Sequence, residues 1–263
     1  MQTGEGKAEE KFSSENHCNT KMATHMKRWS IAETRDLVEA RFGRAHRDQV
    51  TPSLNSLADR LSHAQYHYEE IERLLNHFSE LHLCTKPLIA VIYDEDESGR
   101  VDFELLMIAV AAHATACVLS LHAISDIAAN ATYHALGYSL RENAMPERDI
   151  SAASVQRSFK DVPGHAPIAE VFSRMQSDPS YNIISALANK SKHQSIVKPL
   201  LNEDWTGSRP QRHEFRFSAF KYAGREIPEK TFNSVLEPAF ELSNRTVIEI
   251  GNFLNEILAD RTR

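Results

Sequence analysis

The chain has 263 residues, enough to bury one substantial core, and carries Lys+Arg 30 against Asp+Glu 36 for a formal charge of -6. That balance excludes a general nucleic-acid coat or a polybasic membrane binder and leaves room only for a local basic patch. Gly (9) and Pro (10) are scarce while Ala, Leu, Glu and His recur, which favours a mainly α protein.

Residues 1–29 are polar and lack an apolar signal core, so they read as a disordered leader before a single helical domain at 30–263, with Met22 and Met26 as alternative starts. Cys18, Cys84 and Cys117 have no CxxC spacing. Neither a disulfide framework nor a zinc site is indicated, and a reducing, cytoplasmic setting is expected.

In chain order, Ser30 caps a short helix with Glu33 in the capping-box position. Thr51-Pro52 opens a long amphipathic helix running to about Leu83, with Leu54, Leu57, Leu61, Ile71, Leu74, Leu75 and Phe78 in stripes. Arg60 and His67 share a face there with His63, Arg73 and His77, the pattern of a solvated surface.

"KPLIAVIYDEDESGR" is a short apolar piece closed by an acidic turn. Asp94, Asp96, Ser98, Gly99, Val101 and Asp102 occupy EF-hand positions, but Leu105 stands where the twelfth position needs a bidentate Glu. The turn therefore reads as a cap for the next helix, and no metal site is expected. That central helix spans about Val101 to Leu136 and stops at Gly137. Its segment Leu105–Leu121 is nearly long enough to cross a bilayer, yet it carries His113 midway and is flanked by Asp102 and Glu104. It reads as the buried centre of a bundle rather than a membrane span.

Further helices follow at Ser151–Lys160, at Ile168–Met175, and from Asp178-Pro179 to a stop at Pro199. "HEFRFSAFKYAGREI" gives a hairpin at about 213–228, with a bulge near Ser218-Ala219 and a turn at Ala223-Gly224. A last helix runs from Thr231 to Ala259 and buries Val247, Ile250, Phe253, Leu254 and Ile257. The expected fold is mainly α: a helical bundle with one inserted β-hairpin.

The functional signal lies in "SALANKSKHQSIV", residues 185–197. Asn182, Ala186, Asn189 and His193 follow one another at spacings of four, three and four, opposite Ile183, Ile184 and Leu187. A histidine one turn after an amide, with Lys190 and Lys192 beside it, can meet a phosphate or an RNA backbone. Lys192 would favour the neutral imidazole, the form that acts as a base. The plainer reading is a helix end whose cations complement the macrodipole. On the central helix, His122 and Asp126 are four apart, with Thr115 and Tyr133 near the same face. An aspartate so placed can hold an imidazole's tautomer, or the pair can simply satisfy itself in the core.

A bundle whose late helix bears N-x-x-K-H at Asn189–His193, followed by a hairpin and a last helix, resembles the HEPN superfamily over about residues 50–260. The resemblance implies a metal-independent endoribonuclease of toxin or defence type, without cofactor and often dimeric. His193 would then assist attack by the RNA's own 2′-hydroxyl, with Asn189 at the neighbouring polar position and Asp126 facing the histidine. Lys190 and Lys192 would bind the RNA. The family motif opens on an arginine, and this chain has Ala188 before Asn189. Lysine is no bidentate substitute for a guanidinium. Two readings therefore stand: a HEPN-like protein that binds or cleaves RNA, and a non-catalytic helical module that forms a homodimer or binds a partner protein. A calcium-responsive protein ranks third.

Overall fold

The computed structural model of the chain describes residues 28–93 and 97–260. The leader expectation for 1–29 thus lies outside the described residues apart from Arg28 and Trp29, as do Asp94 and Asp96 of the acidic turn. Eight α-helices are described: α1 (Ile31–Phe42), α2 (Arg44–Phe78), α3 (Leu88–Ile92), α4 (Glu97–Ala135), α5 (Ala152–Phe159), α6 (Ala166–Ser177), α7 (Pro179–His193) and α8 (Phe232–Ala259). Five short strands lie between α7 and α8: β1 (Pro199–Glu203), β2 (His213–Phe217), β3 (Phe220–Tyr222), β4 (Arg225–Ile227) and β5 (Lys230–Thr231). The mainly α architecture read from composition and periodicity is the one observed.

Helix α4 is the axis of the bundle, packed by α2, α7 and α8. Its Leu106, Val110, Ala114, Cys117, Val118, Leu121 and Ile124 are buried among Leu54, Leu57, Ile71, Ile184, Leu187, Val247 and Ile250. Gly137, at φ 72°, ends the helix in the left-handed conformation. A Cβ there would meet the Phe42 ring at 2.6 Å, so only glycine fits the corner.

Helix α4 begins at Glu97, four residues before the expected Val101, and three further features differ from the sequence reading, each for a physical reason. Helix α2 begins at Arg44, and Pro52 lies inside it. Tertiary packing carries the helix past the proline: His46 and Val50 are buried, and the His46 ring Nε2 bonds the His134 carbonyl at 2.7 Å. Pro199 does not close a helix but opens β1, because α7 already stops at His193. The inserted β element is also not one hairpin. β2 pairs antiparallel with β1, from Pro199↔Phe217 to Glu203↔His213, and with β5 at Arg216↔Thr231. The tight hairpin is β3–β4, turning at Ala223 (φ 49°) and Gly224 (φ 76°). The phase change at Ser218-Ala219 is therefore a change of sheet, not a bulge. Phe217 of β2 lands 4.3 Å from Phe232 between ring centroids, tying the sheet to α8.

A polar network pins α1 to α8. Ser30 accepts from Glu33 N at 3.2 Å as the helix cap. Thr34 Oγ1 accepts from Trp29 Nε1 at 2.8 Å and donates to Asn255 Oδ1 at 2.5 Å. The indole lies flat on Gly251, where an added Cβ would fall 2.1 Å from Trp29 Cδ2.

The expectation of a buried central segment holds for one side of α4 only. Val101, Leu105 and Ile108 are 45%, 59% and 68% exposed. They share a face with exposed Ala112, at spacings of four, three and four.

Candidate functional site

The residues singled out from sequence converge where α7 crosses α4. Asp178 caps α7 by accepting from Ser180 N at 2.7 Å, and Pro179 takes the first helical position. Ile184, Ala186, Leu187 and Ala188 are buried. Ala186 therefore belongs to the core, not to an open polar face with Asn182 and His193. A helix embedded on more than half its circumference leaves only narrow edges for chemistry.

Along one such edge, Lys192 Nζ stands 3.5 Å from His122 Nδ1 of α4. The His122 ring lies parallel to that of Tyr181, 6.3 Å between centroids and 4° between planes. Tyr181 Oη shares a 2.8 Å hydrogen bond with Ser125 Oγ. Burial lowers the His122 pKa, the Lys192 ammonium lowers it further, and the Asp126 carboxylate opposes them. Burial likewise raises the Tyr181 phenol, against the hydrogen bond from Ser125. The edge thus holds an imidazole biased to its neutral form, a phenol and one ammonium, a set able to meet a phosphate oxygen.

The other predicted residues are dispersed. His193 is exposed at the last position of α7 and makes no side-chain hydrogen bond or ion pair among the described residues. Asn189 donates to Ser185 Oγ at 3.3 Å, within its own helix. Lys190 donates to Gln194 Oε1 at 3.3 Å. Asp126 is exposed and accepts from Ala152 N at 3.3 Å, so it serves the start of α5. Tyr133, expected near the same polar face, is buried, and its hydroxyl accepts from Met145 N at 2.7 Å. In the acidic turn, Ser98, Gly99, Val101, Asp102 and Leu105 lie within α4, and Asp102 pairs with His82 at 2.9 Å. Among the described residues no group of His, Cys, Asp and Glu gathers to hold a metal.

Two features were missed in the sequence. His67 of α2, grouped with a solvated face, meets His113 of α4 with Nδ1 to Nδ1 at 2.9 Å. No local pattern predicts that meeting, because it joins positions 46 residues apart. The open stripe Val101–Ala112 did have a signal, its heptad-like spacing, which the overall hydrophobicity of the segment concealed. Set against known proteins, the chain matches no family model, no curated protein and no solved structure, so its likeness to the HEPN superfamily rests on Asn189–His193 and the helical bundle alone.

Proposed function

We propose that the chain is a helical interaction module that pairs with a second copy of itself through the open half of α4. The observation that carries this reading is the stripe of Val101, Leu105, Ile108 and Ala112, apolar, exposed and spaced as a coiled-coil seam. Farther along α4 the corresponding region is covered: Thr115 and Val118 line a junction with Leu187 and Ser191 of α7. Over Val101–Ala112 no element among the described residues covers the stripe. Exposed apolar area that is contiguous and regular is the signature of an association surface.

A second copy is the occupant that the residues favour. Ala109, Ala111 and Ala112 let another helix approach closely. Asp102 and Glu104 mark one end of the stripe, and His113 with its partner His67 marks the other. Asp102 is held by His82 within its own chain, so in an antiparallel self-pairing it is the Glu104 carboxylate of one copy that meets imidazole N–H groups of the other. Arg100, beside Asp102, is already engaged by Glu97 at 3.3 Å, and Arg73 is engaged by Glu70 at 2.8 Å. Such an isologous contact closes as a dimer.

Light scattering coupled to gel filtration tests the proposal. The wild-type chain should run at twice its 29.8 kDa. The double variant Leu105→Glu/Ile108→Glu should run as a monomer with an unchanged circular dichroism spectrum. A monomeric wild type, or a dimer indifferent to these changes, overturns the reading. Flotation of the wild type with liposomes would assign the stripe to a membrane surface instead.

A second reading has its own support in the Lys192–His122–Tyr181 edge: binding of an RNA backbone at the basic end of α7. Single-stranded RNA should then bind with an affinity that falls with salt and with Lys192→Ala. If His193 acts as a base, cleavage proceeds in EDTA, leaves 2′,3′-cyclic phosphate ends and drops by about 10²–10⁴-fold in His193→Ala.

A further inference from the structure

Between α2, α4 and α8 lies a cavity of about 360 Å³, sharing no residue with the α4–α7 edge and on a different side of α4 from the open stripe. Its floor is apolar: Ala64, Cys117, Leu236 and Phe240. The Cys117 thiol adds no charge there, because burial pushes its pKa up to about 12, and its Sγ is turned to the Ala64 carbonyl at 3.4 Å.

The rim has the opposite character. Glu69, Glu237 and Glu241 stand around the mouth, and among the described residues no lysine, arginine or histidine lines the cavity. Tyr68 donates its hydroxyl to Glu237 Oε1 at 2.7 Å, which fixes that carboxylate in place. Glu72 approaches from the next turn of α2. Burial, and then the charge of Glu237, hold its carboxyl above the usual range. None of these four glutamates forms an ion pair among the described residues. The rim thus gathers negative charge without a counter-ion among the described residues, and a cation entering the mouth is attracted by all of it.

We propose that this cavity binds a small organic cation, a protonated amine that carries an apolar body. The body fills the floor against Leu236 and Phe240, and the ammonium sits at the mouth between Glu237, Glu241 and Glu69. The volume falls within the range of pockets that enclose small ligands, about 300–1,000 Å³. A compact metal ion finds no convergent ligand set there, and an anion meets only repulsion. The self-pairing surface plays no part in this binding, so the two proposals fail separately.

Calorimetry on the full chain decides it, with 2-phenylethylamine as probe, phenylacetate as the same body with the opposite charge, and spermidine as charge without an apolar body. Saturable binding of 2-phenylethylamine, weakened at high salt and absent for phenylacetate, is the expected result. Glu237→Gln/Glu241→Gln keeps the shape of the rim and removes two charges, and should weaken binding by about tenfold or more. Melting curves confirm that this variant is folded. A second variant, Cys117→Leu, fills the floor and should weaken 2-phenylethylamine with the rim intact. Equal binding of phenylacetate, equal or tighter binding of spermidine, no binding of 2-phenylethylamine, or binding indifferent to the double glutamine variant each overturns the proposal.

Discussion

Nδ1 of His67 lies 2.9 Å from Nδ1 of His113, a distance at which one nitrogen must donate and the other accept. The pair therefore requires at least one neutral ring. Burial lowers the His67 pKa, and the neighbouring His113 and His63 lower it further. His122 and His134 are lowered as well, each first by burial.

These shifts make stability depend on pH in one direction. In the unfolded chain the imidazoles take up protons near pH 6.5, about their unperturbed value, while the fold keeps them neutral. The unfolded state then binds more protons, so stability is full above that pH and is lost as pH falls below it. Thermal melts between pH 8 and pH 5 should show Tm declining on the acid side, with a shallower decline in His67→Gln. A Tm that rises on acidification would contradict the assignment.

Gly251→Ala should be costly even though alanine is the better helix former. The new methyl would occupy the space of the Trp29 indole, 2.1 Å from Cδ2. Overpacking of this kind costs about 1–3 kcal/mol. With Trp205, exposed on the β region, replaced by phenylalanine, the remaining tryptophan emission reports on Trp29 and should shift to the red. An unchanged spectrum and Tm would mean that the indole is held elsewhere.

Asp126→Ala should lower stability by about 0.5–2 kcal/mol, the usual worth of a lost helix-start acceptor. Ser151 remains as the capping residue of α5, so the loss belongs at the lower end of that range. Asp126→Asn should retain much of it. His193→Ala, at an exposed position without a partner among the described residues, should leave stability within about 0.5 kcal/mol. Urea titration separates the two, and equal losses would show His193 to be structural.

Glu203 joins the β region to α3, for its carboxylate accepts from Leu88 N at 2.8 Å and Arg212 Nε at 3.0 Å, with its side chain only 4% exposed. Glu203→Ala strands a buried amide, at a cost of about 1–3 kcal/mol. Hydrogen exchange should quicken over Leu88–Ile92 before it does elsewhere. Uniform quickening would point to global loss instead.

Helices were legible where the sequence carries both a period and a cap. Asp178-Pro179, Ser151 and Thr231 each mark the start that is observed, because capping chemistry is local. Pro52 misled for the complementary reason: the packing of His46 and Val50 against distant α4 outweighs the cost of one proline. The β region was half legible. Aromatic alternation marked β2, but its partner β1 lay in a stretch without alternation, and strand pairing is settled by tertiary contact. At the α4–α7 edge the residue types were visible, yet which of Lys192 and His193 would face His122 depends on the crossing of two helices. No single-helix projection contains that crossing.

The length of α7 has a consequence for how this chain can change. Ser191 reaches the level of Thr115, and the helix stops two residues later, short of Ala112. Each added residue would advance it by about 1.5 Å. Two extra helical turns before Pro199 would lay α7 along Ile108 and Leu105 and seal the stripe within one chain. A short insertion at a single loop would thus remove the proposed pairing surface without touching any residue in it.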